Sequence, residues 1–312
     1  TGIGGRILEK DIHAAGGGSS PPPANSARRQ PTIPGRGDVA PVDRSEPHSR
    51  TVETAPSAER SVTQRAAAAT RPSSASGDAD TTRIPFRGVR RTIANRLRES
   101  IAQTVHFTVM DEADTTALDG LRRKLAAASG EKVSFLPFVA SAICRTLQDP
   151  RFRVLNSTTD DRNEEILQHR TVHLGIATDT DTGLMVPVIR DTDRLGVLEI
   201  SRSIAMIAEM ARNRSIPREQ LIGSTFTISN VGSHAGRFAT PIINYPEVGI
   251  LAVGRAREGM VVNKGSFRVG LLLPLSLACD HRVVDGATAA LALAEVIRLL
   301  QDPETLLAPA RG

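Results

Sequence analysis

Residues 277–288 read LACDHRVVDGAT and set His281 between Asp280 and Arg282, with Asp285 and Gly286 four and five positions on. Imidazole is the side chain whose ordinary pKa lies nearest neutrality, so it can take a proton from a weakly acidic group and return it. The apolar run just ahead, VGLLLPLSLAC, reads as a buried strand that would deliver His281 to the edge of a rigid scaffold. Asp285 and Gly286 then open a helix, where a carboxylate can cap the N-terminus or pair with an arginine. One bland description and one rival chemistry compete with that reading. His281 alone would pass as a hydrogen-bonded turn histidine, with Asp285 as a cap. Cys279, two positions earlier on the same strand face, offers a thiol nucleophile with His281 as its base, although a cysteine in an apolar strand is usually an inert small hydrophobe.

The elements that must position these residues begin near residue 81. Residues 14–80 are rich in Pro, Ala, Ser, Gly and Arg with almost no large apolar residue, and such a segment cannot bury enough surface to offset its ordering entropy. A mobile linker is expected there, with 81–312 as the folded domain. Within that domain, GVRRTIANRLRESIAQ spaces Val89, Ile93, Leu97 and Ile101 as one helical stripe. HFTVMDEA reads as a strand. TTALDGLRRKLAAASG reads as a helix with a threonine N-cap and Gly130 at its end. SFLPFVASAICRTLQDP is a more buried helix stopped by Pro150, and TVHLGIAT and LMVPVI are strands around the turn DTDTG. A helix follows over 197–213, then the strands STFTIS, VGILAVGRA and FRVGLLLPLSLAC, a hairpin in REGMVVNKGSFRV, and a final helix ATAALALAEVIRLLQ. Helices interspersed with strands and antiparallel hairpins predict an α/β domain with a mixed sheet flanked by helices.

Composition excludes several classes. At 312 residues and 40% hydrophobic the chain has material for a real core, and no run of 18 apolar residues is present, so no membrane span is expected. The formal charge of +5 comes from arginines interspersed with acids, and aromatics make up only 3%, so nucleic acid is not an expected partner. A basic surface still suits a polyanionic small molecule. Two cysteines, Cys144 and Cys279, give neither a disulfide framework nor a metal-ligand spacing, and no metal is expected. Neither a dinucleotide glycine fingerprint nor a phosphate loop occurs.

Several long segments in series carry a resemblance. DHRVVDG with its HxxxDG pattern, GSTFTISNVGSHAGRFATPIINYPEVGILAVG, DTDTGLMVPVIRD, VSFLPF and RRTIANRLRES resemble the catalytic domain of dihydrolipoamide acyltransferases, the core components of 2-oxo acid dehydrogenase complexes. The resemblance implies a CoA-dependent acyltransferase fold, like that of chloramphenicol acetyltransferase. TGIGGRILEKDI, through Gly2, Gly4, Gly5, Arg6 and Asp11, resembles the end of the peripheral subunit-binding domain of the same complexes, so residues 1–13 are expected to be its remnant. One departure stands out: Val105 precedes His106 where the family pattern has proline. No lipoyl domain is seen, so the lipoyl group is expected from a lipoyl domain outside this chain.

The activity implied is transfer of an acyl group between the thiol of dihydrolipoamide and coenzyme A, acetyl or branched-chain acyl before succinyl, because no extra cation stands out for a second carboxylate. The alternative is a non-catalytic core or binding component. By resemblance His281 is the base that activates a mostly protonated thiol, Ser229 donates to the oxyanion, and Asp285 orients the histidine loop. Arg122, Ser134, Asp179, Asn230 and Gly254 fall on the positions that contact coenzyme A. The resemblance further implies a homotrimer with His281 of one protomer facing Ser229 of the next, assembling into a larger core that receives the decarboxylase and dihydrolipoamide dehydrogenase components. The expected compartment is the cytoplasm in a bacterium, or the mitochondrial matrix in a eukaryote.

Overall fold

The computed structural model describes residues 81–311 apart from 83, 181–182, 234–235 and 264. The expectations for 1–13 and 14–80 lie outside the described residues. The chain order is α1 (Val89–Gln103), β1 (His106–Asp114), α2 (Thr116–Ser129), α3 (Leu136–Gln148), β2 (Ser157–Asp160), β3 (Glu165–Gln168), β4 (Leu174–Thr180), β5 (Gly183–Met185), β6 (Val188–Ile189), α4 (Val197–Arg212), β7 (Phe226–Asn230), β8 (Gly249–Val253), β9 (Arg257–Asn263), β10 (Ser266–Asp280) and α5 (Gly286–Gln301).

Eight strands form one mixed sheet in the order β1-β10-β8-β7-β4-β5, with β6 on β4 and β9 on β10. The β4–β7 and β7–β8 pairs are parallel, and the others are antiparallel. β10 is the spine, pairing with β1 along His106↔Asp280 to Asp114↔Leu272 and with β8 along Leu275↔Val253 to Cys279↔Gly249. It tolerates Pro274 because the β8 ladder ends at Leu275; the missing N–H faces the side that the proline carbonyl also faces, where it accepts from Gly254 N at 2.8 Å.

Alternation divides this sheet into two faces. Phe226, Ile228, Leu251, Val253, Leu275, Leu277 and Cys279 share the face that carries the main core with α3 and α5. Helix α3 is buried nearly all round, from Leu136 to Leu147. It ends at Gln148, with Asp149 in the extended backbone that a following proline enforces. On the opposite face lie Thr227, Ser229, Ile250, Ala252, Ser276 and Ala278, and there Ile243 joins Ile250 and Ala278 in a small second cluster. The segment 239–247 crosses this face on polar anchors. Ser100 Oγ donates to the Ile243 carbonyl at 2.6 Å, Ile243 N donates to His106 Nε2 at 3.0 Å, and Ala239 N donates to Ser276 Oγ at 3.3 Å.

The mixed α/β fold and its long helices fall where the pattern puts them, with three differences. Thr115 stands at the N-cap of α2, but its hydroxyl donates to the Leu271 carbonyl at 2.9 Å and not to its own helix. The β2–β3 hairpin is an additional element; its strands STTD and EILQ alternate no apolar face that the sequence could reveal. The stripe on α1 is present as a pattern, but Val89 (53%), Leu97 (41%) and Ile101 (58%) remain exposed within this chain.

Candidate active site

The acid and the arginine around His281 bind each other. Arg282 donates to both oxygens of the buried Asp280 carboxylate, at 2.7 Å from its terminal nitrogen, and reaches Asp161 at 2.9 Å. Burial pushes the Asp280 carboxyl up, but donors from the Arg282 side chain and backbone and from Val105 N outweigh it and hold the group below the usual carboxylate range. Val105 N donates to Asp280 at 3.1 Å, and His281 N returns a bond to the Val105 carbonyl at 2.8 Å. The valine that departs from the family pattern thus makes a bond that proline could not. The backbone of His281 is clamped on both sides while its side chain is exposed, with its ring centroid 4.5 Å from that of Phe107 and tilted by 47°.

Asp285 stands at the N-cap of α5 with extended backbone, and its exposed carboxylate makes no capping hydrogen bond. The cap reading is therefore corrected: the helix receives a carboxylate at its positive end but no side-chain bond from it. Asp280, which the motif reading passed over, organises the loop.

Ser229 lies near the C-terminal end of β7 and lines a cavity of about 440 Å³ with Ala177, Val186, Thr227, Val231 and Ile250 from the sheet side and residues 239–245 opposite. It is level with Ala252 on β8, and Ala252 is level with Ser276 on β10. His281 is five residues beyond Ser276 and two strands across, which places the two backbones about 19 Å apart in a regular sheet. They also belong to different faces, because Ser229 shares the face of Thr227 and Ile250 while the ring of His281 packs on Phe107, the partner of Cys279 on the core face. One chain does not bring them together.

On the core face, Ser134, Asn230 and Gly254 line one cavity of about 250 Å³ with Phe135, Val253 and Leu273. Ser134 and Phe135 also border a larger one of about 810 Å³, walled by α2 and α4 and bearing Arg122, Lys132 and Arg212. Adjacent residues Ser229 and Asn230 therefore serve opposite faces of β7. Arg122 is already committed: it donates to Asp119 at 2.6 and 3.0 Å and to the Val133 carbonyl at 3.0 Å, and it sits 5.2 Å from the Phe135 ring centre. Gly254 is required by packing, since a Cβ there would fall 2.1 Å from the Arg237 carbonyl oxygen. Asp179 is exposed on the β4–β5 hairpin opposite Leu184 and lines none of these three cavities.

Cys279 is fully buried, and burial pushes its thiol up to about 12, with the neighbouring Asp280 charge adding to the shift. That removes it as a nucleophile for His281. Among the described residues no cluster of three or more His, Cys, Asp or Glu is placed to hold a metal, and no helix is long and apolar enough to cross a membrane.

A mixed α/β domain with a histidine presented beyond its long spine strand and a serine near the end of a strand two places across has the architecture of a CoA-dependent acyltransferase. Residues 78–308 match the model of the 2-oxoacid dehydrogenases acyltransferase (catalytic domain) family, and the chain belongs to that family. It is 41% identical over 234 residues to the dihydrolipoyllysine-residue acetyltransferase component of the pyruvate dehydrogenase complex of Bacillus subtilis, covering 74% of this chain and 52% of that protein. It is 40% identical over 230 residues to the lipoamide acyltransferase component of the branched-chain alpha-keto acid dehydrogenase complex of Pseudomonas putida, covering 73% and 54%. The chain thus spans about half the length of the curated relatives it matches. Among solved structures it is similar to the dihydrolipoamide acetyltransferase of Azotobacter vinelandii (33% identity, TM-score 0.70, 73% of this chain and 94% of that one). It is also similar to the cubic core of a pyruvate dehydrogenase multienzyme complex (33%, TM-score 0.71, 76% and 98%). The Azotobacter work concerns a serine, a histidine 52 positions later and an asparagine four further on in the catalytic mechanism; Ser229, His281 and Asp285 have the same spacings, with aspartate in the third place.

Proposed function

We propose that this protein transfers an acyl group between the thiol of dihydrolipoamide and coenzyme A, within the core of a 2-oxo acid dehydrogenase complex. The observation that carries the reading is the pair Ser229 and His281, 52 positions apart as in the Azotobacter enzyme and each presented at an open position of the fold. His281 takes the proton from the attacking thiol, whose ordinary pKa leaves it mostly protonated at neutral pH. Ser229 donates to the oxyanion of the tetrahedral intermediate, and collapse expels the other thiol, which recovers the proton from His281. The neutral imidazole is the reactive form, and the clamp on its backbone from Val105 and Asp280 limits its search to side-chain rotation.

Because one chain holds Ser229 and His281 about 19 Å apart on different faces, the reacting pair is drawn from neighbouring protomers, which fits a closed trimer. The cavities with Ser134, Asn230 and Gly254, and with Arg122, Lys132 and Arg212, supply amide partners and positive charge for coenzyme A as substrate. Asp285, four positions beyond His281 as the asparagine is in the Azotobacter enzyme, is the orienting group, and Asp179 is assigned to coenzyme A on the sequence resemblance alone. The cubic assembly of the similar core supports stacking of trimers into a larger shell that receives a lipoyl domain and the decarboxylase and dehydrogenase components. The bacterial relatives support a cytoplasmic location.

The test is acyl transfer from acetyl-, isobutyryl- and succinyl-CoA to free dihydrolipoamide by the assembled protein, beside His281→Ala. Acetyl or isobutyryl transfer, lowered roughly 10²- to 10⁴-fold in the variant, is expected. An assembled protein that turns over none of the three donors would overturn the enzyme and leave a scaffold.

A further inference from the structure

Glu247 is a carboxylate that the chemistry above leaves unused, and it is buried to 1% exposure on the Ser229 face of the sheet. Three neutral donors converge on it. Thr227 Oγ1 donates to one oxygen at 2.6 Å; Asn244 Nδ2 donates to the other at 2.7 Å, as does the Ser224 hydroxyl. Thr227 and Asn244 are walls of the 440 Å³ cavity on opposite sides, one from β7 and one from the crossing segment. Thr227 is two residues from Ser229 on the same strand face, about 7 Å along the sheet. The Glu247 carboxylate therefore bridges the two walls immediately behind the serine.

We propose that Glu247 is a positioning residue for the reaction at Ser229: it fixes the spacing of the cavity walls through Thr227 and Asn244, and its charge state sets which way the Thr227 hydroxyl points. This rests on the acyltransfer reading above. When the carboxylate is ionised, the Thr227 proton is spent on it and the cavity meets only the threonine lone pairs. When the acid is neutral, it donates to Thr227 Oγ1 and releases the threonine proton toward the cavity. The ionised form also places a negative charge on the Ser229 face of the sheet, where it opposes a developing oxyanion.

Burial pushes the Glu247 carboxyl up to about 7, against the three hydrogen bonds that favour its charge, so both forms are populated near neutrality. Arg96 and Glu99 of α1 border the same cavity, and His106 accepts from Ile243 N in the crossing segment; other charged and titratable groups on the packed elements are engaged elsewhere. Asp161 holds Arg282 and the Tyr245 hydroxyl, His169 shares a hydrogen bond with Thr158, Asp160 accepts from Asn163, and Arg190 donates to the Gly223 and Ile222 carbonyls.

The experiment compares wild type, Glu247→Gln, Thr227→Val and the double variant from pH 5.5 to 8.5, by acyl-transfer kinetics and by urea unfolding at fixed protein concentration. Glutamine keeps the geometry, its oxygen accepting from Asn244 and Ser224 and its amide donating to Thr227, but it cannot ionise. The raised folded-state value means that wild type binds more protons folded than unfolded between about pH 4.5 and 7, so its unfolding midpoint should fall as pH rises through that window. The midpoint of Glu247→Gln should lack that component. The two proteins should share one kcat/KM below pH 6, and above pH 7.5 the glutamine variant should be faster by roughly tenfold. Thr227→Val cuts the relay, so adding Glu247→Gln to Thr227→Val should give a smaller difference than adding it to wild type. Parallel pH–rate profiles for wild type and Glu247→Gln would overturn the inference even where the unfolding midpoints diverge. Absence of turnover in wild type would overturn the functional reading itself, and the inference with it.

Discussion

Mixing two inactive variants tests the cross-protomer site directly. Ser229→Ala keeps His281, and His281→Ala keeps Ser229. Each alone should lose roughly 10²-fold or more of its turnover, as expected for an oxyanion donor or a general base. In one chain the two positions are about 19 Å apart and on different faces, far beyond the roughly 3 Å within which a base and an oxyanion donor must both meet a reacting centre. If the histidine comes from one protomer and the serine from the next, random co-assembly at equal ratio rebuilds a complete site wherever a Ser229→Ala chain precedes a His281→Ala chain. That occurs at about one site in four, and at about one in three when only mixed trimers are retained by two affinity tags. The assay is acetyl transfer to dihydrolipoamide after co-expression, with separately expressed variants mixed without exchange as the control. Recovery to about a quarter of wild-type kcat with unchanged KM is expected. Activity that stays at the parental level in assemblies shown to be mixed would mean that both groups act within one chain, and the sheet geometry would have been misjudged.

Two further outcomes follow from packing. Cys279 and Cys144 are both buried with thiols pushed up by burial, so iodoacetamide at neutral pH should leave the native protein unmodified and fully active; a single adduct at Cys279 that abolishes turnover would refute this. Gly254→Ala should destabilise the domain by about 1–3 kcal/mol in urea unfolding, because the new Cβ would stand 2.1 Å from the Arg237 carbonyl, a backbone atom that cannot rotate away; wild-type stability would show that the contact between Gly254 and Arg237 is slack.

The helices and strands were legible because hydrophobic period and turn residues act locally. α3 and β10 carry long, mostly apolar runs, and Pro150 and Gly130 mark helix ends by backbone chemistry alone. His281 stood out for a similar reason, since an imidazole among charges at a strand end is unusual in its own short window. What the sequence left hidden depends on contacts distant along the chain. The Asp280–Arg282 pair looks like two solvated charges until Val105, 175 positions away, is seen donating to the same carboxylate. Glu247 reads as a surface residue between a proline and a valine; only the fold brings Thr227 and Ser224 to it from β7 and the turn before it. The separation of Ser229 from Asn230 was readable in principle from strand alternation, and so was the exposed stripe of α1 as a pattern. Which partner covers such a stripe is not written in one chain.

The short strand β7 has an unusual position with respect to sequence change. Its odd and even residues serve two compartments, Thr227 and Ser229 one, Ile228 and Asn230 the other. Inserting or deleting a single residue within it would exchange the faces of every residue on the shifted side, sending Ser229 toward the hydrophobic interior or Ile228 toward the cavity on the other face. Neither half of such a change could be selected first. This pentapeptide can therefore vary by substitution but is locked in length, and in an alignment of homologues it should be the stretch where gaps are never placed.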